Sequence, residues 1–215
     1  MSLLVDVQGL SKSFGGIQAD SGTINVRGQS LRFNSPRGGR AAGIEPIHQT
    51  LALTENLDAP ANLLLGRELL TPWRTLDSDR MAHEAQQVIR RLNPNFTDMQ
   101  KPVRAMSGGQ RLTVAIARAL YCNARILIMD EPCAALGPAE TRVVLNTILK
   151  LKPEGIGIFF ISHDIADVFE VGDRVTVMKN GGVVDTVAVA EVTQDEVLTM
   201  IILGQKPKQE AKALA

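Results

Sequence analysis

The chain has 215 residues, 45% hydrophobic and 21% charged, with 23 Lys plus Arg against 23 Asp plus Glu and no formal net charge. That is enough apolar chain for one ordinary core, or a small domain with a subdomain, and charge balance excludes a whole-chain argument for nucleic acid or an anionic membrane while leaving room for a local patch. Cys122 and Cys133 lack metal-ligand spacing and suggest a reducing compartment, and the absence of a leader pattern or a long apolar run predicts neither signal peptide nor membrane span.

In chain order, residues 3–7 read as a strand and 9–16 as a loop carrying Phe14. Residues 23–26 and 30–33 form two short strands around Gly28, antiparallel if they pair. Ser35-Pro36 opens a short helix to about Ala42, since Pro suits the first helical position. Residues 44–47 make a strand that ends before His48-Gln49. Apolar residues at three- and four-residue intervals predict helices over 55–65 and 77–92. Pro94 and Pro102 mark a connection, and a helix opens at Ser107-Gly108 with Leu112, Ala115, Ile116 and Ala119 on one face.

The second half is more strongly organised. A strand over 126–129 runs into Asp130-Glu131, a helix follows over 138–150, and a second buried strand covers 157–161. Together they make a parallel βαβ unit. A helix over 164–169 is followed by strands over 174–178 and 183–187 around Asn180-Gly181, a hairpin turn pair. Thr193 and Glu196 form a capping box for a last helix to about Leu203. The segment after Gly204 reads as a frayed tail.

Three pieces carry chemistry. In Met129-Asp130-Glu131-Pro132, two carboxylates leave the carboxyl end of a strand, where α/β folds place ligands. One can hold Mg²⁺ and the next can orient or deprotonate water. Taken alone, the four residues read rather as a solvated strand end followed by a Pro turn. In Ser107-Gly108-Gly109-Gln110-Arg111, a Ser and two glycines bare backbone N–H groups at a helix start, which attracts anions; the bland alternative is an ordinary Ser-capped helix start, which does not require two glycines. His163 after a strand can reach a phosphate oxygen or be merely structural. Gln49 and Phe14 say nothing singly.

In this order the pieces resemble the ATP-binding subunits of ABC transporters, on the simple-sugar (ribose/xylose/fructose-type) importer branch. Residues 103–111 are similar to the signature motif, 126–132 to the Walker B strand with its catalytic Glu, and Ala134-Ala135-Leu136-Gly137 to the D-loop. His163 matches the switch histidine, Gln49 the Q-loop glutamine and Phe14 the aromatic that stacks on adenine. The resemblance covers residues 3–203. It implies an ABC-type ATPase domain: a mostly parallel α/β sheet core, an antiparallel β layer, a helical subdomain over about 49–104, and a flexible tail over 204–215.

The resemblance also implies ATP and Mg²⁺ as ligands. Glu131, His163 and Gln49 would be catalytic, Asp130 and Gln49 would attend the metal, and Phe14, Asp130, Ser107, Gly108, Gly109 and Gln110 would bind nucleotide, the signature residues on a second subunit. Membrane permease subunits, a second ATPase subunit and a sugar-binding protein are the implied partners, at the cytoplasmic face of the inner membrane.

One piece is expected and absent. A phosphate-binding loop reads G-x-x-x-x-G-K-[ST], yet none of the lysines, at 12, 101, 150, 152, 179, 206, 208 and 212, follows a glycine. Ala19 joins directly to Asp20-Ser21-Gly22 where the family has a strand, loop and helix, a block of roughly 30 residues. The expectation is therefore a truncated fold lacking Walker A. Its own ATP binding and hydrolysis would be impaired, or it would be a non-catalytic subunit completing a partner's site through its signature helix.

Overall fold

A computed structural model describes residues 4–11, 21–26, 28–31 and 36–206. Three sheets are present among them. The first is antiparallel and joins β1 (Val5–Ser11), β2 (Ser21–Val26) and β3 (Gln29–Leu31) in that order. β1 runs further than residues 3–7 because it pairs with β2 from Val5↔Val26 to Ser11↔Ser21, across an irregularity between Gln8 and Ser11. The strand pair around Gly28 forms as expected, Gly28 taking φ +77 in the turn. Helix α1 (Pro36–Ala41) comes next.

The expected loss of a strand–loop–helix is corrected here. Two strands and a helix, β2, β3 and α1, occupy this part of the chain and lead into β4 (Ile44–Ile47).

The second sheet is parallel, in the order β4, β5 (Ile126–Asp130), β6 (Gly157–Ile161). Gly43 sits at φ +79 before β4, and its carbonyl accepts from the N–H groups of Arg125 and Ile126, fastening the starts of both strands. One face of this sheet, with Ile47, Leu127, Met129, Ile158 and Phe160, joins the main core. The opposite face was expected to be buried at β6 as well. Instead, Phe159 and Ile161 are 47% and 50% exposed, because no layer among the described residues covers that face of β6 at these positions. An apolar run reports that a strand can be buried on both faces, not that two layers cover it.

Helices α2 (Ala59–Leu63), α3 (Ser78–Leu92), α4 (Gly108–Tyr121) and α5 (Pro138–Leu151) build the rest of that core. The helix expected over 55–65 shrinks to α2. Pro60 tolerates only a first helical turn, and the fully buried Asn62 holds the preceding loop with its side chain. Its amide donates to the carbonyls of Thr54, Leu57 and Asp58 at 2.9–3.2 Å, and its Oδ1 accepts from the Thr54 N–H at 2.7 Å.

α6 (Ile165–Val171), the hairpin β7 (Arg174–Lys179) and β8 (Gly182–Ala188), and α7 (Gln194–Leu203) enclose a second, smaller core of Val175, Val177, Val197 and Met200. Asn180 and Gly181 both take positive φ in the hairpin turn, and the Thr193/Glu196 capping box starts α7, both as read from sequence. No helix among the described residues is long and apolar enough to cross a membrane.

Candidate functional site

Parallel pairing brings the chemistry to one sheet edge. Ile47 pairs with Met129 and Met129 with Phe160, so the residues that come after β4, β5 and β6 leave the sheet on the same side. They are Gln49, the pair Asp130-Glu131, and His163. Glu131 takes φ 49, a left-handed conformation that costs a non-glycine residue about 1–2 kcal/mol. Its N–H is held by the Ile161 carbonyl at 3.0 Å. Glu131 Oε2 lies 2.7 Å from His163 Nδ1. Glu131 thus meets His163 from a strained turn.

Asp130 is exposed at the end of β5, and its carboxylate makes no hydrogen bond or ion pair among the described residues. An uncommitted carboxylate at the carboxyl edge fits a hard cation such as Mg²⁺. No cluster of three or more potential ligand side chains is present among the described residues, so phosphate and water oxygens would complete the shell. Gln49 is exposed in the bend after β4 and is not hydrogen-bonded to Asp130, Glu131 or His163. Phe14 lies outside the described residues.

The start of α4 is the Ser-capped helix start that the sequence also allowed. Ser107 and Gln110 close a capping box, Ser107 Oγ accepting from the Gln110 N–H at 3.3 Å and Gln110 Oε1 from the Ser107 N–H at 3.0 Å. The expected anion is there, supplied by the protein: Glu140 at the start of α5. Its Oε1 accepts from the Gly109 N–H and its Oε2 from the Gly137 N–H, each at 3.4 Å. The Ser107 hydroxyl above all, then these N–H groups, holds the Glu140 carboxyl below the usual carboxylate range. A Cβ on Gly108 would stand 2.3 Å from Leu136 Cδ2, so the first glycine answers a close approach by the D-loop segment. Sequence reasoning missed Glu140. Its one signal was an acidic residue in the first turn of a helix.

Cys133, just past the acidic pair, is a half-buried thiol pushed up to about 11, first by burial and then by the carboxylates of Asp167, Asp164 and Glu131. Asp167 is itself raised by burial and by its neighbours Asp164 and Glu170. Asp164 caps α6 through the N–H groups of Ala166 and Asp167.

A parallel sheet with an acidic pair and a histidine at its carboxyl edge places this chain among α/β domains that carry their chemistry where the strands end. The model of the family "ABC transporter" matches residues 10–134, and the chain belongs to that family.

The ribose import ATP-binding protein RbsA 2 of Burkholderia ambifaria is 39% identical over 185 residues, covering 86% of this chain and 36% of that protein. This chain therefore spans about a third of the length of that relative. The fructose import ATP-binding protein FrcA of Rhizobium meliloti is 35% identical over 206 residues, covering 93% of this chain and 79% of that protein. Among solved structures, cbiO1 from Clostridium perfringens, part of the ABC transporter complex cbiONQ, superposes with a TM-score of 0.71 over 95% of this chain and 97% of that one. At 21% identity it speaks for the fold alone.

These matches complete the correction. The family match runs through the Ala19–Asp20 junction, and nearly all of the cbiO1 chain finds a counterpart here. The expectations of a truncated ABC fold, of impaired activity and of a non-catalytic subunit are accordingly set aside. The sequence contains no Gly-Lys pair. ATP with Mg²⁺ is the ligand expected of the family.

Proposed function

We propose that the chain is an ATP-binding and ATP-hydrolysing subunit of an ABC importer for simple sugars. The observation that carries this reading is the Glu131–His163 contact beside the uncommitted Asp130, at the edge where three parallel strands end. The sugar assignment rests on the ribose and fructose import relatives.

Asp130 would hold Mg²⁺, which when bound neutralises charge on phosphate oxygens. Glu131 is placed to orient a water and take its proton, with His163 fixing the carboxylate through Nδ1 and offering its other nitrogen to a phosphate oxygen. Gln49, at the same edge, would attend metal and water and couple them to the permease. Ser107, Gly108, Gly109 and Gln110 would face nucleotide on a second ATPase subunit, and residues 49–104 would dock on the membrane subunits that receive sugar from a binding protein.

The test is calorimetric titration of folded protein with Mg-ATP, followed by phosphate release. Saturable binding, with hydrolysis lowered about 10²- to 10⁴-fold by Glu131→Gln, is the expected result. A folded protein that takes up no ATP would overturn the proposal.

A further inference from the structure

Glu140 is used by no step of the proposed reaction, yet it sits on the groups that the reaction takes from a second subunit. It lies in the first turn of α5 and reaches across to α4. Its Oε1 accepts from the Gly109 N–H and its Oε2 from the Gly137 N–H, each at 3.4 Å, and the Ser107 hydroxyl faces the same carboxylate. A Cβ on Gly109 would stand 3.4 Å from the Glu140 Cβ, so the stem of the side chain already lies against that glycine. Among the described residues no Lys or Arg pairs with Glu140, and its charge is met by a hydroxyl and backbone N–H groups.

Two features make the contact separable. At 3.4 Å it is longer than the roughly 2.7–3.2 Å of an ordinary N–H···O bond, and correspondingly weak. The two oxygens also have different duties. Oε2 caps α5 at Gly137, so Oε1 can leave α4 without uncapping its own helix. A backbone N–H is a single donor, so a phosphate oxygen and the Glu140 carboxylate cannot both take Gly109 in full. Two negative groups at one helix start also repel, since the site favours one anion.

We propose, on the ATP-hydrolysing reading of the site, that Glu140 is a built-in competitor of the nucleotide phosphate. It occupies Ser107 and Gly109 in the resting subunit and swings off α4 before these residues engage ATP held by a second ATPase subunit. Pairing of subunits on nucleotide waits until phosphate displaces the carboxylate.

Self-association in Mg-ATP is followed by sedimentation velocity, with phosphate release measured on the same samples. The proteins are wild type, Glu140→Gln and Glu191→Gln, the last an exposed acidic residue elsewhere. Gln keeps the shape of the side chain and drops its charge. Glu140→Gln should lower the half-maximal Mg-ATP of both readouts about fivefold. Glu191→Gln should leave it unchanged, and calorimetric ATP binding to dilute, unpaired subunits should match wild type in both variants. Salt should narrow the gap between wild type and Glu140→Gln by screening the charge.

A contact that merely ties α5 to α4 predicts the reverse: a looser signature helix, a higher half-maximal Mg-ATP and a gap indifferent to salt. Should Glu140→Gln fail to melt cooperatively, Glu140→Asp is read instead, one methylene short of Gly109, with a shift in the same direction expected. The proposal is overturned by a half-maximal Mg-ATP that is unchanged or raised, by an equal shift in Glu191→Gln, or by a Glu140 variant that stays unpaired at saturating Mg-ATP. Wild type that binds ATP while any of these holds sinks this proposal and leaves the ATP reading standing. Wild type that binds no ATP sinks both.

Discussion

The carboxylate of Glu140 and the backbone N–H of Gly109 are in contact at 3.4 Å, which places a negative charge of the protein itself over the start of α4. The contact ties α5 to α4 at the point where the signature residues begin, and it makes an anion part of the resting structure there.

This contact sets an acid dependence. Glu140 has a folded-state pKa below its ordinary value of 4.5, the Ser107 hydroxyl being the first cause. A depressed carboxyl stabilises the fold above the unfolded value and loses that contribution as pH falls through the folded one. The urea midpoint of wild type should therefore exceed that of Glu140→Gln at neutral pH, and the gap should close as pH falls below 4.5 through the folded value. A difference that persists in acid would refute the charge account.

Gly108 faces Leu136, and a methyl group would stand 2.3 Å from Leu136 Cδ2. Gly108→Ala should cost about 1–3 kcal/mol through overpacking. Leu136→Ala should relieve it, so a double-mutant cycle by chemical denaturation should show coupling. Additive losses would mean that the leucine moves aside without cost.

Asn62 is fully buried and uses its whole amide on the loop before α2. Asn62→Ala leaves the carbonyls of Thr54 and Leu57 and the Thr54 N–H short of a partner, at about 1–3 kcal/mol for each group left unsatisfied. The melt should fall by an amount well above that of an exposed change such as Gln87→Ala. Parity between the two would show that water replaces the side chain.

Cys133 should react slowly with maleimide at pH 8, since its thiolate forms only near pH 11. Stability linked to this thiol is fully present below the ordinary value of 9.0 and is lost as pH rises through about 11, because the unfolded chain ionises first. Peptide mapping of labelled protein reads the rate, and prompt labelling of Cys133 would contradict the burial described.

Much of the fold was legible because its signals are local. α3 begins at its Asp77 cap, α4 at Ser107, and β4 spans the residues its apolar run marks. Pro138 opens α5, and Asn180-Gly181 turns the last hairpin. Asp130, Glu131 and His163 were legible as a group because parallel pairing delivers strand ends to one edge. β1 was misjudged because its length is decided by β2, across residues with no strand pattern of their own. The helix over 55–65 was overdrawn because periodicity cannot see that Asn62 spends its side chain on the loop. The junction at Ala19–Asp20 was taken for a truncation because a motif was sought there, whereas the family match runs through it and the likeness to cbiO1 covers 97% of that chain.

By itself, the sequence determined where helices and strands start and stop, and which residue types lead each one. Capping, turn formation and strand ends are decided within a few neighbouring residues. Only the tertiary structure decided that Glu140 is the anion at the signature helix and that β6 leaves Phe159 and Ile161 open. These depend on which surfaces meet, and packing joins residues whose separation along the chain carries no local signal.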